Sequence, residues 1–307
     1  LAGVKAEGFV AMDRAGLRRL FDLPAPPDPG AREALVRGAM TAAVLPGQAG
    51  RPSVEAPLHD LLPARFVVHT HPPLVNGMTC ARDGAKTCAR LFPDAMWVPY
   101  VDPGYTLCVE LRKRLADFGR RSARPPALIF LENHGVFAMA ESVEEMRGLY
   151  ASVLDKLRAE YSKAGISTHI AVVNPGAGDP AGVRRALGGL LGAEAAFVAS
   201  EGLFPVAPGP ISPDHVVYSK AYPYDGPLTR EGIGAFRERH GYTPLVYVTA
   251  AGVFAVGPTR TKADYALDLA MDGALVIQLA RAFGGIRHMT DRARLFIEQW
   301  EAESYRQ

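Results

Sequence analysis

The run "LIFLENHGVFAMAESVEEMRGLYASVLDKLRA", residues 128–159, constrains the fold more than any other stretch of the chain. It opens on four apolar residues, breaks at Asn133-His134-Gly135, where a glycine allows a tight turn, and resumes as "VFAMA". Two apolar runs joined so closely read as neighbouring β-strands. Ser142 then stands three residues before Glu145, the pattern of a capping box at a helix start. Met146, Leu149, Tyr150, Val153, Leu154, Leu157 and Tyr161 recur with a period of about 3.6 residues, which predicts one apolar helical face. Gly165 is placed to cap its C-terminus.

The unit occurs twice. Residues 128–159 align without gaps on "LVYVTAAGVFAVGPTRTKADYALDLAMDGALV", residues 245–276, and share Gly-Val-Phe-Ala. Leu149, Tyr150, Val153, Leu154 and Leu157 fall opposite Ala266, Leu267, Ala270, Met271 and Ala274, so the helical faces match as well. The stretch "GISTHIAVVNPGAGDP" reads as a boundary between two α/β halves, 1–165 and 166–307, the second a degenerate repeat. One difference bears on chemistry: His134 of the first copy meets Ala251 of the second.

Around this unit, Asp13 predicts the cap of a short helix, "AREALVRGAMTAAVL" a helix, and "VEAPLHDLL" a short helix capped by Ser53. "ARFVV" leads into a strand, followed by a loop and a helix over Met78–Leu91. "AMWVPYV" reads as a strand and "TLCVELRKRLADF" as a helix. The start, "GVKAEGFVAM", looks like a strand already under way, and with no initiator Met it suggests missing upstream residues.

The strand from Phe66 ends in "HTHPP". Alternate side chains of a strand share a face, so His69 and His71 project together while Thr70 turns away. Pro72 and Pro73 end the strand and leave the pair near its exposed end. Two imidazoles so placed suit a metal ion but need partners. His134, beside a turn glycine, is the candidate third ligand, and Glu55 the candidate carboxylate. Three neutral imidazoles can hold a divalent transition ion and leave an open position for substrate, with a carboxylate nearby to move a proton. All-nitrogen ligation favours Zn²⁺ without excluding other first-row metals.

Composition narrows the class further. With 48% hydrophobic and 21% charged residues and a net charge of +2, the chain has a globular profile and no basic run pointing to nucleic acid. Arg112-Lys113-Arg114 reads as a solvated helix face. No apolar run is long enough for a membrane span. Three sparse cysteines, Cys80, Cys88 and Cys108, fit free thiols in a reducing, cytoplasmic setting, the first two as buried small apolar residues. His59 is expected to bond to Glu55 four residues earlier, and His215, without a His or Cys neighbour, reads as structural.

"RPSVEAPLHDLLPARFVVHTHPP", followed by "LIFLENHGVFAMAES", resembles the class II aldolase/adducin family, whose members include fuculose-1-phosphate and rhamnulose-1-phosphate aldolases. The resemblance covers residues 1 to about 165, with the Ser-x-Glu, His-x-His and Asn-His-Gly elements in the family's order. The later part, including "SPDHVVYSK" and "AFGGIRHMTDRARLFIEQWE", is similar to the region after the aldolase domain in long rhamnulose-phosphate aldolases fused to a dehydrogenase. No strand-to-helix Gly-x-Gly-x-x-Gly accompanies it.

The resemblance implies a three-layer α/β/α fold around a mixed, largely antiparallel sheet. It implies zinc on His69, His71 and His134, and Glu55 as the acid/base residue. The implied activity is retro-aldol cleavage of a small ketose or ketose phosphate through a metal-stabilised enediolate. Family relatives also include epimerases, dehydratases, decarboxylases and non-catalytic adducin-like proteins, and its members are typically cyclic tetramers with the site between subunits.

The family's phosphate cradle is only partly present. The early Gly-Asn-x-Ser loop is missing, "KAEG" puts Glu7 where a small hydroxyl residue belongs, and Val54 replaces the second Ser before Glu55. Lys5, Gly8 and Ser53 remain as candidate substrate-binding residues, and Tyr105 in "DPGYTL" as a candidate proton donor.

Overall fold

The computed structural model describes residues 5–24, 26, 28–176 and 178–300. In chain order it runs α1 (Arg14–Arg18), α2 (Pro29–Ala42), α3 (Ala56–Leu61), β1 (Phe66–Thr70), α4 (Pro73–Thr79), α5 (Gly84–Leu91), β2 (Met96–Val98), α6 (Tyr105–Gly119), β3 (Leu128–Leu131), β4 (Gly135–Ala140) and α7 (Val143–Lys163). It continues with α8 (Pro180–Leu191), β5 (Phe197–Glu201), α9 (Pro213–Tyr218), α10 (Arg230–His240), β6 (Val246–Thr249), β7 (Gly252–Gly257), α11 (Arg260–Ala280) and α12 (Asp291–Gln299).

The first sheet has the order β1-β4-β3-β2, with β1 and β3 antiparallel to β4 and β2 parallel to β3. Its alternation sorts the apolar side chains onto two faces. Leu128, Phe130, Val136, Ala138 and Ala140 pack under α4, α5 and α7, with Val75, Met78, Val153, Leu157 and Tyr161. Ile129, Leu131, Phe137 and Met139 face α3 and α6, with Leu58, Leu107, Cys108 and Leu111. The result is the expected α/β/α layering around a mixed, mostly antiparallel sheet.

The second half repeats this topology. Its sheet has the order β5-β7-β6, both flanking strands antiparallel to β7, and an isolated parallel bridge joins Tyr224 to Tyr247 where β2 pairs Trp97 with Phe130. β4 and β7 are both six residues long, α7 and α11 both 21, and the caps Ser142 and Thr259 occupy matching positions. β7 is covered by α8 and α10 on one face and by α11 on the other. The halves share a core, because Leu279 and Ala280 at the end of α11, and Phe283 in the 3-10 turn after it, join the cluster under the first sheet.

Several local expectations change. The N-terminal stretch is not a strand: Ala6–Gly8 form a 3-10 turn and only Met12 bridges, to Val44, while residues 1–4 lie outside the described residues. Pro73 does not prolong a loop but starts α4, since a fixed φ and a missing N–H are tolerated in a first helical turn. The helix expected over Met78–Leu91 is therefore two, interrupted after Thr79. Glu55, not Ser53, occupies the N-cap position of α3, and Ser53, two residues earlier, accepts the Glu55 backbone N–H at 3.2 Å. Ser142 caps α7 as expected, accepting from the Glu145 N–H, while the Glu145 carboxylate accepts from Glu141 rather than from the cap residue itself.

Candidate metal centre

β1 carries His69 on the face of Val67, towards α3 and α6. Its ring lies nearly parallel to Phe137 on β4, centroids 4.0 Å apart, and its Nδ1 is 3.0 Å from the carbonyl oxygen of Val136. A carbonyl can only accept, so the proton sits on Nδ1 and Nε2 presents a lone pair. His71, one residue past the strand, returns to the same side. Its Nε2 is 2.9 Å from His69 Nε2, and its Nδ1 is 2.5 Å from Oδ2 of Asp214.

His134 comes from the β3–β4 turn, where Asn133 takes a left-handed φ of 52° and Gly135 resumes the strand. A Cβ on Gly135 would collide with the His71 ring and the Thr70 carbonyl oxygen, so glycine here admits the second histidine to the site. His69, His71 and His134 each offer a ligand atom, all within 4.8 Å of one another. With carbonyl and carboxylate acceptors holding protons on both Nδ1 atoms, the Nε2 lone pairs of His69 and His71 face each other. That arrangement is repulsive without a cation or a shared proton between them, and this donor set fits a divalent transition ion.

Glu55 completes the group. Its Oε1 lies 3.3 Å from His69 Nε2 and 3.5 Å from His134 Nε2, and its side chain is 13% exposed. Burial pushes the carboxyl up, but its electrostatic and hydrogen-bond contacts with the His69 and His134 rings outweigh burial and hold the group well below the ordinary range, which calls for a proton or an ion among these Nε2 atoms. Glu55 is therefore ionised beside the imidazoles. Burial pulls His134 down to about 4, with repulsion from His71 and His69 adding to it and the Glu55 hydrogen bond opposing. A neutral imidazole is the form that can ligate.

The remaining candidates are not part of the three-histidine cluster. Ser53 is exposed, two residues before Glu55. Tyr105 packs with Leu17, Leu20, Val36 and Met40 and borders a cavity of about 370 Å³ that also touches Val54, Arg37 and Arg51. Lys5 and Gly8 are exposed at the N-terminal 3-10 turn, and nothing lies within 4 Å of a Cβ built on Gly8. His59 meets Glu55 through its backbone N–H, 3.1 Å from the Glu55 carbonyl, while its ring packs edge-on against Phe137. His215 is structural, its ring held between Ser212 Oγ at 2.7 Å and Asp272 Oδ1 at 3.0 Å. Cys80, Cys88 and Cys108 are free and buried.

The residue that sequence reasoning passed over is Asp214, the neighbour of His215. It is 143 positions from its partner His71, and no local pattern links the two. Asn133 was read only as a turn residue, yet its Nδ2 donates to the carbonyl oxygens of Ile211 and Arg287 at 2.8 Å each. In the second half the register of β5 and β7 puts Ser200 at the place of His69 and Gly202 at that of His71. Ala251, at the place of His134, is covered by Gly178.

Comparison with known proteins finds likeness over about half of the chain. An uncharacterized oxidoreductase, YuxG, of Bacillus subtilis (strain 168) is 29% identical over 171 residues, 55% of this chain but 23% of that protein. Among solved structures, the N-terminal class II aldolase domain of a conserved protein from Thermoplasma acidophilum matches with a TM-score of 0.42 and 19% identity, over 51% of this chain and 68% of the other. The family model described as the class II aldolase and adducin N-terminal domain matches residues 4–160, which include β1, the β3–β4 turn and all three clustered histidines. About half of the chain is thereby accounted for, and with it the chain belongs to the class II aldolase and adducin family.

Proposed function

We propose that this chain is a metal-dependent aldolase that cleaves a carbon–carbon bond in a small ketose or ketose phosphate, with zinc as the ion held by His69, His71 and His134. The observation that carries the reading is the convergence of three imidazoles, two with their protons turned outward, with a sheltered carboxylate against two of them. A bound Zn²⁺ would polarise a carbonyl and a neighbouring hydroxyl of the substrate. Glu55, ionised and in reach of the ligand nitrogens, takes or returns the proton at the substrate carbon.

By family resemblance Ser53, Lys5 and Gly8 are proposed as substrate-binding residues and Tyr105 as a proton donor; Tyr105 and Val54, the neighbour of Glu55, line one cavity. The incomplete phosphate cradle favours a substrate whose anionic end, if it has one, is gripped differently from that of the family's sugar-phosphate aldolases. The second half is proposed to be a degenerate copy that packs against the first. By family resemblance the working form is a homo-oligomer, with a tetramer expected. Free buried cysteines suit a cytoplasmic location. Among the described residues no helix is long and apolar enough to cross a membrane.

The test is a metal-loaded screen of ketoses and ketose phosphates, read by aldehyde release together with bound-metal content. Release of a carbonyl pair by protein holding about one divalent ion per chain supports the proposal. Interconversion of ketoses without cleavage would make the site an epimerase, and a purified protein that takes up no ion would make the chain a non-catalytic scaffold.

A further inference from the structure

We infer that Asp214, supplied by the second half of the chain, is a positioning residue for the metal centre: it fixes the proton and the orientation of His71, so that the ligand set is complete only with residues outside the family domain. The inference rests on the proposed metal site and adds a residue that the family match, ending at residue 160, does not contain.

The geometry assigns both nitrogens of the His71 ring. Nε2 is directed at His69, and Nδ1 meets Asp214 Oδ2 at 2.5 Å, a close charge-assisted contact. Both partners are sheltered, with side chains 20% and 25% exposed. A carboxylate accepting from Nδ1–H leaves the Nε2 lone pair for a metal and makes that nitrogen a better donor. The Val136 carbonyl does the same for His69 from within the family domain. His71 lies beyond the last paired residue of β1, Thr70, so the ladder that fixes His69 does not reach it. The carboxylate stands where the sheet stops.

A second observation points the same way. The loop that brings Asp214, and the segment between α11 and α12, also grip the third ligand's turn: Ile211 of the first and Arg287 of the second accept from Asn133, next to His134, and Arg287 pairs with Glu132 at 3.5 Å. Asp214 sits in the first turn of α9, behind Ser212, and α9 is held by the buried bonds of His215 to Ser212 and Asp272. Asp272 belongs to α11, which packs along α4 directly after His71. Two of the three imidazoles are thus braced by the second half.

The test measures Zn²⁺ affinity by chelator competition, and the absorption of the Co²⁺-substituted protein, for the full-length wild type, Asp214→Asn, Asp214→Ala, Asp214→Glu and His69→Ala, with thermal unfolding of each metal-free form as a control. Asp214→Ala and Asp214→Asn should bind about 10- to 100-fold more weakly. They should change the Co²⁺ spectrum without lowering the metal-free melting point to match, and Asp214→Glu should recover part of the affinity. If both keep wild-type affinity and spectrum while His69→Ala loses the metal, the positioning role is overturned and the metal site stands. If the wild type itself takes up neither ion, the site and the inference fall together.

Discussion

Glu55 is the side chain on which the chemistry turns, because it is the carboxylate that lies within 3.5 Å of two of the clustered imidazoles. A base must be ionised, and here the contacts of Glu55 with the His69 and His134 nitrogens overcome the cost of burial and hold its carboxyl well below the ordinary range. Glu55→Gln keeps the shape and removes the charge. It should leave metal content near that of the wild type and slow solvent-proton exchange at the substrate carbon by roughly 10²- to 10⁴-fold, measured by NMR in deuterated buffer. Exchange at the wild-type rate would take Glu55 out of the mechanism. His69, His71, His134 and Glu55 were legible in the sequence because each stands in a short local pattern whose geometry can be inferred. Asp214 was not, since its partner is distant along the chain and the tertiary packing alone creates the pair. His59 bonds to Glu55 as helical spacing predicts, but through its backbone N–H, because the ring is turned towards Phe137.

At the scale of elements, the strand–turn–strand–helix unit was the most legible part, since its caps, glycine turn and apolar period all agree. The least legible was α4, because Pro72-Pro73 reads as a stop when it is also a start. β1 and the β3–β4 turn meet at Gly135, where the chain passes so close to His71 and Thr70 that a methyl group does not fit. Gly135→Ala should therefore push the β4 start and the His71 ring apart. The expected cost is about 1–3 kcal/mol of stability, together with weaker metal binding. Calorimetry and chelator competition on the same sample check both. A variant with wild-type melting and metal affinity would show that the turn relaxes freely and that the close approach is incidental. Gly252, at the corresponding place in the second half, has a φ of 127° and meets the Glu201 carbonyl rather than a histidine, so Gly252→Ala should lower stability and leave metal affinity alone.

For the whole molecule, the question is whether the halves fold as one. The boundary near residue 165 was inferred from composition and from the repeat, and both describe sequence rather than packing. α11 answers differently at its two ends. Its N-terminal part lies on its own sheet through Ala266, Ala270 and Ala274, and its C-terminal part inserts Leu279 and Ala280 among Val75, Met78 and Tyr161 of the first half. Gly77 makes the approach possible, since a Cβ there would press on Leu279 and on the Tyr161 hydroxyl, which is bonded to the Leu74 carbonyl. Leu279 is fully buried in that shared core. Leu279→Ala removes contacts across the joint and leaves a cavity, at a cost of about 2–5 kcal/mol. If the joint couples the halves, that loss falls on a single cooperative transition. Circular dichroism, which senses both halves, and the fluorescence of a Trp300→Phe background, which reports Trp97 in β2 alone, should then shift together by the same several degrees. Two transitions, with only one displaced by the substitution, would mean that each half folds on its own core and that the brace on His71 is a docking contact between independent units.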